Sequence, residues 1–121
     1  MPIEYEIRDG VVHGRATGAL DDATLVEYVQ RLLLDPAYSP QLPVLFDATQ
    51  ITTLELSGGG VRDASATVRE SLKKPTARLA LVVSGPAAYG MARMYGLLRD
   101  DVEVSVFEDR DRALAWLREP R

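Results

Sequence analysis

The chain of 121 residues is 46% hydrophobic and 26% charged, close to the globular average, so we expect one domain, residues 1–121, with one core. Fourteen Lys and Arg against eighteen Asp and Glu give a formal net charge of −4, which repels a phosphate backbone and argues against a nucleic-acid partner. The lack of cysteine excludes disulfides and thiolate chemistry and suits the cytoplasm. No apolar run approaches the ~18 residues of a membrane span, which leaves only peripheral membrane association open.

The N-terminus has the pattern of a β-hairpin. Residues 3–8 alternate apolar and polar side chains, as in a strand with one wet face. Asp9 and Gly10 suit a type I′ turn, in which both central residues have positive φ. Residues 11–17 should therefore return antiparallel, with Gly14 marking a bulge or a close backbone approach.

Helical and strand patterns then alternate to the end of the chain. Asp21 or Asp22 can cap a first helix, which Asp35-Pro36 stops. The continuous apolar runs at 43–47 and 79–83 are typical of central strands in a parallel sheet, whereas 102–106 alternates like a half-exposed strand. Further helical patterns cover 58–72, 87–99 and 110–119. These patterns predict an α/β fold: an N-terminal β-hairpin followed by successive βα units, a five-stranded mixed sheet and about four helices.

Residues 46–63, FDATQITTLELSGGGVRD, look like the functional segment. We expect a strand ending at Asp47, a loop rich in Thr and Ser, and a glycine-rich helix start. A phosphate-binding loop is disfavoured because the segment lacks the lysine and hydroxyl of G-x-x-x-x-G-K-[ST]. The simpler interpretation is that Ser57 caps the following helix while the glycines allow close packing.

Enzymatic chemistry has little support in the sequence. His13 is the only histidine and lies on an early strand, so a triad with Ser57 or Ser84 lacks a base of known position. Asp47 lies where α/β ligand sites gather, but it can equally accept hydrogen bonds from turn amides. No cluster of ligands indicates a metal site. We expect no enzyme activity, no cofactor and no metal.

The helical pattern at 87–99 is apolar nearly all round. At 100° per residue Met91, Met94, Tyr95 and Leu98 group toward the core, whereas the residues around Arg93 form a weakly polar outer face. Such a face must be covered by protein, by a ligand or lipid, or by the last strand and helix of the chain itself. The outer-face residues near Arg93 are Tyr89, Ala92, Gly96 and Leu97.

Several motifs resemble the SpoIIAA-like group of small bacterial proteins, which is related to STAS domains and to the Sec14-type lipid-binding fold. They are GALDD at 18–22, Asp47 with its loop, AYGMARMY at 88–95, and VFED with ALAWL within 106–117. If all helices lie on one sheet face, the other face needs cover, which a homodimer partner or a lipid-like molecule would supply.

The resemblance also suggests a recognition loop. In sigma-factor antagonists of the STAS family this loop looks like D-x-S-x-V-x-x-I-D-S-S-G, and a partner kinase phosphorylates the serine directly after the second acid. Asp47, Ile51, Leu54, Glu55, Ser57 and Gly58 match in type. The phosphoacceptor position, however, is Leu56, and Ser57 corresponds to the second serine.

Three functional hypotheses follow. The first is a non-enzymatic binding or regulatory module that engages a protein partner through the 47–62 loop and the third predicted helix, residues 87–99. The second is a carrier of a small apolar or lipid-like ligand near Tyr89, Met91, Met94 and Tyr95. The third, a hydrolase or transferase using Asp47, Ser57 or Ser84, is the weakest. Ser57 is the candidate phosphoacceptor, and the predicted binding residues are Asp47, Thr49, Thr52, Thr53, Glu55, Ser57, Gly58, Arg62, Tyr89, Met91, Arg93, Met94 and Tyr95.

Overall fold

The fold is a five-stranded sheet with helices packed on it, seen in a computed structural model that describes residues 3–39, 41–55, 57, 59, 62, 66, 78–98 and 103–119. The strands lie in chain order across the sheet; β1 and β2 are antiparallel, and all other neighbours are parallel. The elements are β1 (Ile3–Arg8), β2 (Val11–Asp21), α1 (Asp22–Leu34), β3 (Val44–Glu55), β4 (Leu79–Val82), α2 (Pro86–Leu98), β5 (Val104–Phe107) and α3 (Arg110–Arg118).

This architecture confirms the predicted α/β class, the N-terminal hairpin and the five-stranded mixed sheet. Three helices have bounds in the described residues, against the four or so predicted. The remaining one, expected at 58–72, lies outside the described residues except for Gly59, Arg62 and Ala66, whose backbone is helical.

Local sequence chemistry determines both ends of β2. Asp9 and Gly10 have φ of 54° and 74°, as the predicted type I′ turn requires. At the other end Asp21 caps α1. Its carboxylate accepts a hydrogen bond from the Thr24 amide at 2.8 Å, and the Thr24 hydroxyl oxygen accepts one from the Asp21 amide. The first of the two predicted residues, Asp21, is therefore the cap, and the helix begins at Asp22.

Strand β3 corrects the prediction of a loop after Asp47. The strand spans 12 residues, Val44–Glu55, and pairs with β2 from one end to the other. Two register shifts each place an extra β3 residue against β2, between Arg15 and Thr17 and again between Gly18 and Ala19. Ile51 and Leu54 therefore both pack against the same core, although in a regular strand they would face opposite sides. The shifts break the period-2 alternation of inward and outward side chains, so the sequence pattern did not predict the strand beyond Asp47.

The sheet is covered on both faces. Helices α1 and α2 bury one face, with Tyr28, Val29, Ala88 and Ala92 among its core residues. Helix α3 covers the other face, where Ala113 and Leu117 pack on Val11, Leu45, Ala80 and Val82. The described helices thus do not lie on one face, and α3 already supplies cover that the sequence left to a dimer partner or a lipid.

The orientation of α2 also differs from the prediction. Ala88 and Ala92 face the core, whereas Met91 and Met94 are only half-buried. Small residues let the helix approach the sheet closely, and a Cβ at Gly96 would lie 3.4 Å from Val104 Cγ1. Close packing on alanine and glycine therefore outweighs the larger apolar residues in choosing the buried face.

Candidate functional site

The exposed end of β3 is the first candidate surface. Thr52, Thr53, Glu55 and Ser57 are all exposed there. Ser57 anchors this end to the start of α1: its backbone amide donates to Asp22 Oδ1 at 2.8 Å, and its hydroxyl donates to Oδ2 at 2.6 Å. These hydrogen bonds hold the pKa of the Asp22 carboxyl below its ordinary value, and the one from the Ser57 hydroxyl has the larger effect. We name residues 52, 53, 55 and 57 the β3-end surface.

The ladder partners of β3 explain why this surface projects from the sheet. Strand β4 pairs with β3 only over residues 44–47. Beyond that, residues 50–55 pair with β2 alone within the part of the chain that the structure describes. The two long strands therefore form a two-stranded extension whose tip carries the β3-end surface.

Asp47 does not belong to this surface. It lies within β3 and is 7% exposed, and its Oδ1 accepts from the Thr49 amide at 2.9 Å and from Thr49 Oγ1 at 2.6 Å. Its Oδ2 lies 3.7 Å from Arg110 at the start of α3, on the opposite side of the sheet from α1. Two interpretations of Asp47 were open: an acid at a strand end, or an acceptor of hydrogen bonds from nearby groups. The second describes its position better.

Arg110 links Asp47 to the single histidine. An Arg110 guanidinium nitrogen lies 3.2 Å from His13 Nδ1, which fixes the ring against α3. Burial lowers the pKa of His13 most, and the positive charges of Arg8 and Arg110 lower it further. Sequence reasoning missed Arg110 because only the crossover of the chain brings α3 to this part of the sheet. The only local signal was its place in the first turn of a predicted helix.

The geometry separates His13 from the candidate nucleophile. Ser57 is tied to Asp22, directly after the end of β2, and His13 lies eight residues earlier on that extended strand. At about 3.3 Å per residue the separation is roughly 25 Å. Ser84 lies exposed before α2. The hydrolase hypothesis therefore lacks a histidine base for Ser57.

The second candidate surface lies beside α2. Tyr89 is 38% exposed and Leu97 is 80% exposed. With Arg93 and Gly96 they line an open groove whose other wall is β5, through Val104, Ser105 and Val106. Of the residues predicted on this helix, Tyr89 and Arg93 line the groove, whereas Met91, Met94 and Tyr95 do not. Tyr95 is half-buried and packs against the α1/α2 core.

Of the remaining predicted residues, one is described and one is not. Arg62 is exposed, and Gly58 lies outside the described residues, as does Leu56 at the family's phosphoacceptor position. The described residues contain no group of three His, Asp or Glu that could hold a metal ion. None of the described helices has both the length and the apolar character needed to cross a membrane.

Two solved structures share this arrangement of strands and helices. An uncharacterized protein of the DUF3478 family from Shewanella loihica PV-4, described as having a SpoIIAA-like fold, is 21% identical, with 95% of this chain and 91% of that chain covered and a TM-score of 0.61. The chain has a SpoIIAA-like fold. An anti-sigma factor antagonist from Mycobacterium paratuberculosis is 22% identical over 97% of this chain and 93% of that one, with a TM-score of 0.67. No family model and no curated protein matches the sequence.

Proposed function

We propose that the chain is a non-enzymatic regulatory module that binds a protein partner through the β3-end surface and the exposed residues of α2. The observation that carries the proposal is the exposed tip of the β2–β3 extension, fixed to α1 by the two Ser57–Asp22 hydrogen bonds. An exposed set of hydroxyl and carboxylate groups is suited to recognising another protein surface. The SpoIIAA-like fold of this chain, which an anti-sigma factor antagonist shares, supports a regulatory role.

Phosphorylation at Ser57 fits this surface poorly. The Ser57 hydroxyl donates a hydrogen bond to the Asp22 carboxylate, and a phosphate there would replace the donor with negative charge next to an acid. The side chain of Arg62, one of the predicted binding residues, is exposed. We therefore propose a constitutive binding surface in place of a phosphorylation switch at Ser57.

An apolar-ligand carrier is the second candidate. Tyr89 and Leu97 expose apolar surface, but the groove beside them is open to solvent. Sites for small apolar ligands usually bury 70–90% of the ligand, which an open groove does not do. A protein partner, which brings its own surface to close the groove, matches the geometry better.

A photo-crosslinking experiment tests the proposed function. A photoreactive amino acid replaces Thr53 at the β3-end surface and, as the matched control, Ala115, which is exposed on α3 on the other side of the sheet. In a lysate of the source cells we expect a discrete protein adduct at position 53 that excess wild-type protein suppresses and excess Thr53→Arg protein does not. Adducts that are equal at both positions, or that wild-type protein fails to suppress, would contradict the proposal.

A further inference from the structure

The outer edge of β5 presents backbone groups that pair with no strand in the described part of the chain. The Leu79 amide donates to the Glu103 carbonyl, and the Val83 amide donates to the Phe107 carbonyl, both at 2.9 Å. Hydrogen bonds of a parallel ladder use alternate residues, so residues 103, 105 and 107 bond to β4. The N–H and C=O groups of Val104 and Val106 therefore point away from β4, and no described strand pairs with them.

Helix α2 forms the second wall of a groove along this edge. Tyr89, Arg93 and Leu97 lie on successive turns of the same helix face, about 6 Å apart along the axis. Alternate residues of an extended strand are about 6.6 Å apart. A strand added to β5 would therefore present three side chains, at i, i+2 and i+4, to these three helix residues in turn.

The charge of the groove determines which side chain suits the middle position, i+2, of the added strand. Among the described residues Arg93 is the only charged one that lines the groove; it is exposed, and no described Asp or Glu lies within ion-pair distance of it. Tyr89 and Leu97 on either side of Arg93 offer apolar contact surface. A strand with a carboxylate opposite Arg93 and an apolar side chain on either side of it, opposite Tyr89 and Leu97, would therefore match the groove.

We propose that the edge of β5 and the facing side of α2 bind an extended segment of a partner protein with the pattern apolar-x-acidic-x-apolar. The segment adds a sixth strand to the sheet through Val104 and Val106, and its acidic side chain pairs with Arg93. Main-chain pairing provides affinity and the alternate side chains provide specificity, as in other cases of strand addition. The proposal rests on the proposed function as a protein-binding module and names the chemistry of one partner segment.

Synthetic peptides test the proposal without knowledge of the partner. The probe is a capped nonapeptide with the core Leu-Thr-Glu-Thr-Leu, flanked by Lys-Thr and Thr-Lys; a second peptide has Lys in place of Glu. Amide chemical shifts and hydrogen exchange of 15N-labelled protein are followed during titration. We expect shifts and slowed exchange at the amides of Val104 and Val106. Because exposed ion pairs contribute about 1 kcal/mol at most, the Glu peptide should bind up to about fivefold tighter than the Lys peptide.

Charge reversal supplies the control. The chain has a net charge of −4, so long-range attraction favours the Lys peptide, and a preference for Glu reports local recognition. Arg93→Glu should invert the preference, whereas Arg112→Glu, on the exposed side of α3, should leave it unchanged. A peptide with the core permuted to Glu-Thr-Leu-Thr-Leu should bind more weakly.

Three results would overturn the inference. They are no shift at Val104 and Val106 with either peptide, equal affinity for the two peptides, or shifts of these amides on raising the protein concentration alone, which would assign the edge to a second copy of the chain. The crosslinking at Thr53 is read separately from these titrations. A competed adduct at position 53 without peptide binding would refute only the β5 groove, and peptide binding without that adduct would refute only the β3-end surface.

Discussion

Replacing Gly14 with alanine should destabilise the protein through one close contact. The added Cβ would lie 2.9 Å from the Tyr28 hydroxyl oxygen and 3.2 Å from Phe46 Cδ2. Overpacking of a core costs about 1–3 kcal/mol, whereas removing a glycine from a strand returns about 0.5–1 kcal/mol. We therefore expect Gly14→Ala to lower the free energy of unfolding by about 1–2 kcal/mol, measured by urea denaturation.

The Tyr28 hydroxyl provides the internal control. It is buried without a hydrogen-bond partner among the described residues, and burial raises the pKa of Tyr28 above its ordinary value. Because an unpaired buried polar group costs about 1–3 kcal/mol, Tyr28→Phe should stabilise the protein by about 1 kcal/mol. It also removes the atom nearest to the added Cβ, so Gly14→Ala should cost about 1 kcal/mol less in that background.

The double-mutant cycle can refute this reasoning in two ways. Additive effects of the two substitutions would mean that the added methyl group does not meet the hydroxyl. A loss of stability in Tyr28→Phe alone would mean that the hydroxyl makes a favourable hydrogen bond. Either result would contradict the packing described around Gly14.

Three further predictions concern hydrogen bonds and charges. Asp21→Ala removes the cap of α1 and should cost about 1 kcal/mol in thermal or urea denaturation; an unchanged midpoint would contradict the capping role. Ser57→Ala should raise the pKa of Asp22 toward its ordinary value, measured by carboxyl NMR titration. Because the folded-state pKa is lowered, the contribution of Asp22 to stability is present above its ordinary pKa and is lost as the pH falls through the folded value. Arg110→Ala should raise the pKa of His13 by removing a neighbouring positive charge, and imidazole NMR titration would show an unchanged pKa if the contact were absent. Since burial lowers that pKa in the folded state, His13 should cost the wild-type protein stability as the pH falls below the ordinary value of 6.5.

Local chemistry made much of the fold predictable. The Asp9-Gly10 turn, the cap at Asp21 and the continuous apolar runs of the central strands each depend on a few neighbouring residues. The full length of β3 depends on something else. Its two register shifts follow from pairing with β2, so the sequence pattern of β3 alone does not contain them.

The candidate site was predictable only in part. The exposed hydroxyl and carboxylate groups of the β3-end surface followed from a polar segment with a family resemblance. The contact of Asp47 with Arg110 did not, because it joins residues far apart in sequence across a sheet face. The buried side of α2 was also missed. Helical periodicity gives the angle between residues, but the neighbouring sheet decides which angle is buried, and here it selected Ala88 and Ala92.

The position of α3 bears on how the protein is made. Leu45, Ala80 and Val82 pack under this helix, so their face of the sheet lacks the cover of α3 until residues 110–118 have been synthesised. The buried residues of the face under α1 and α2 are made earlier, from Ile3 to Ala92, and β5 adds two partly buried ones, Val104 and Val106. A nascent chain that ends before α3 therefore lacks the residues that cover this apolar face, and we expect it to bind chaperones more than the full-length chain does.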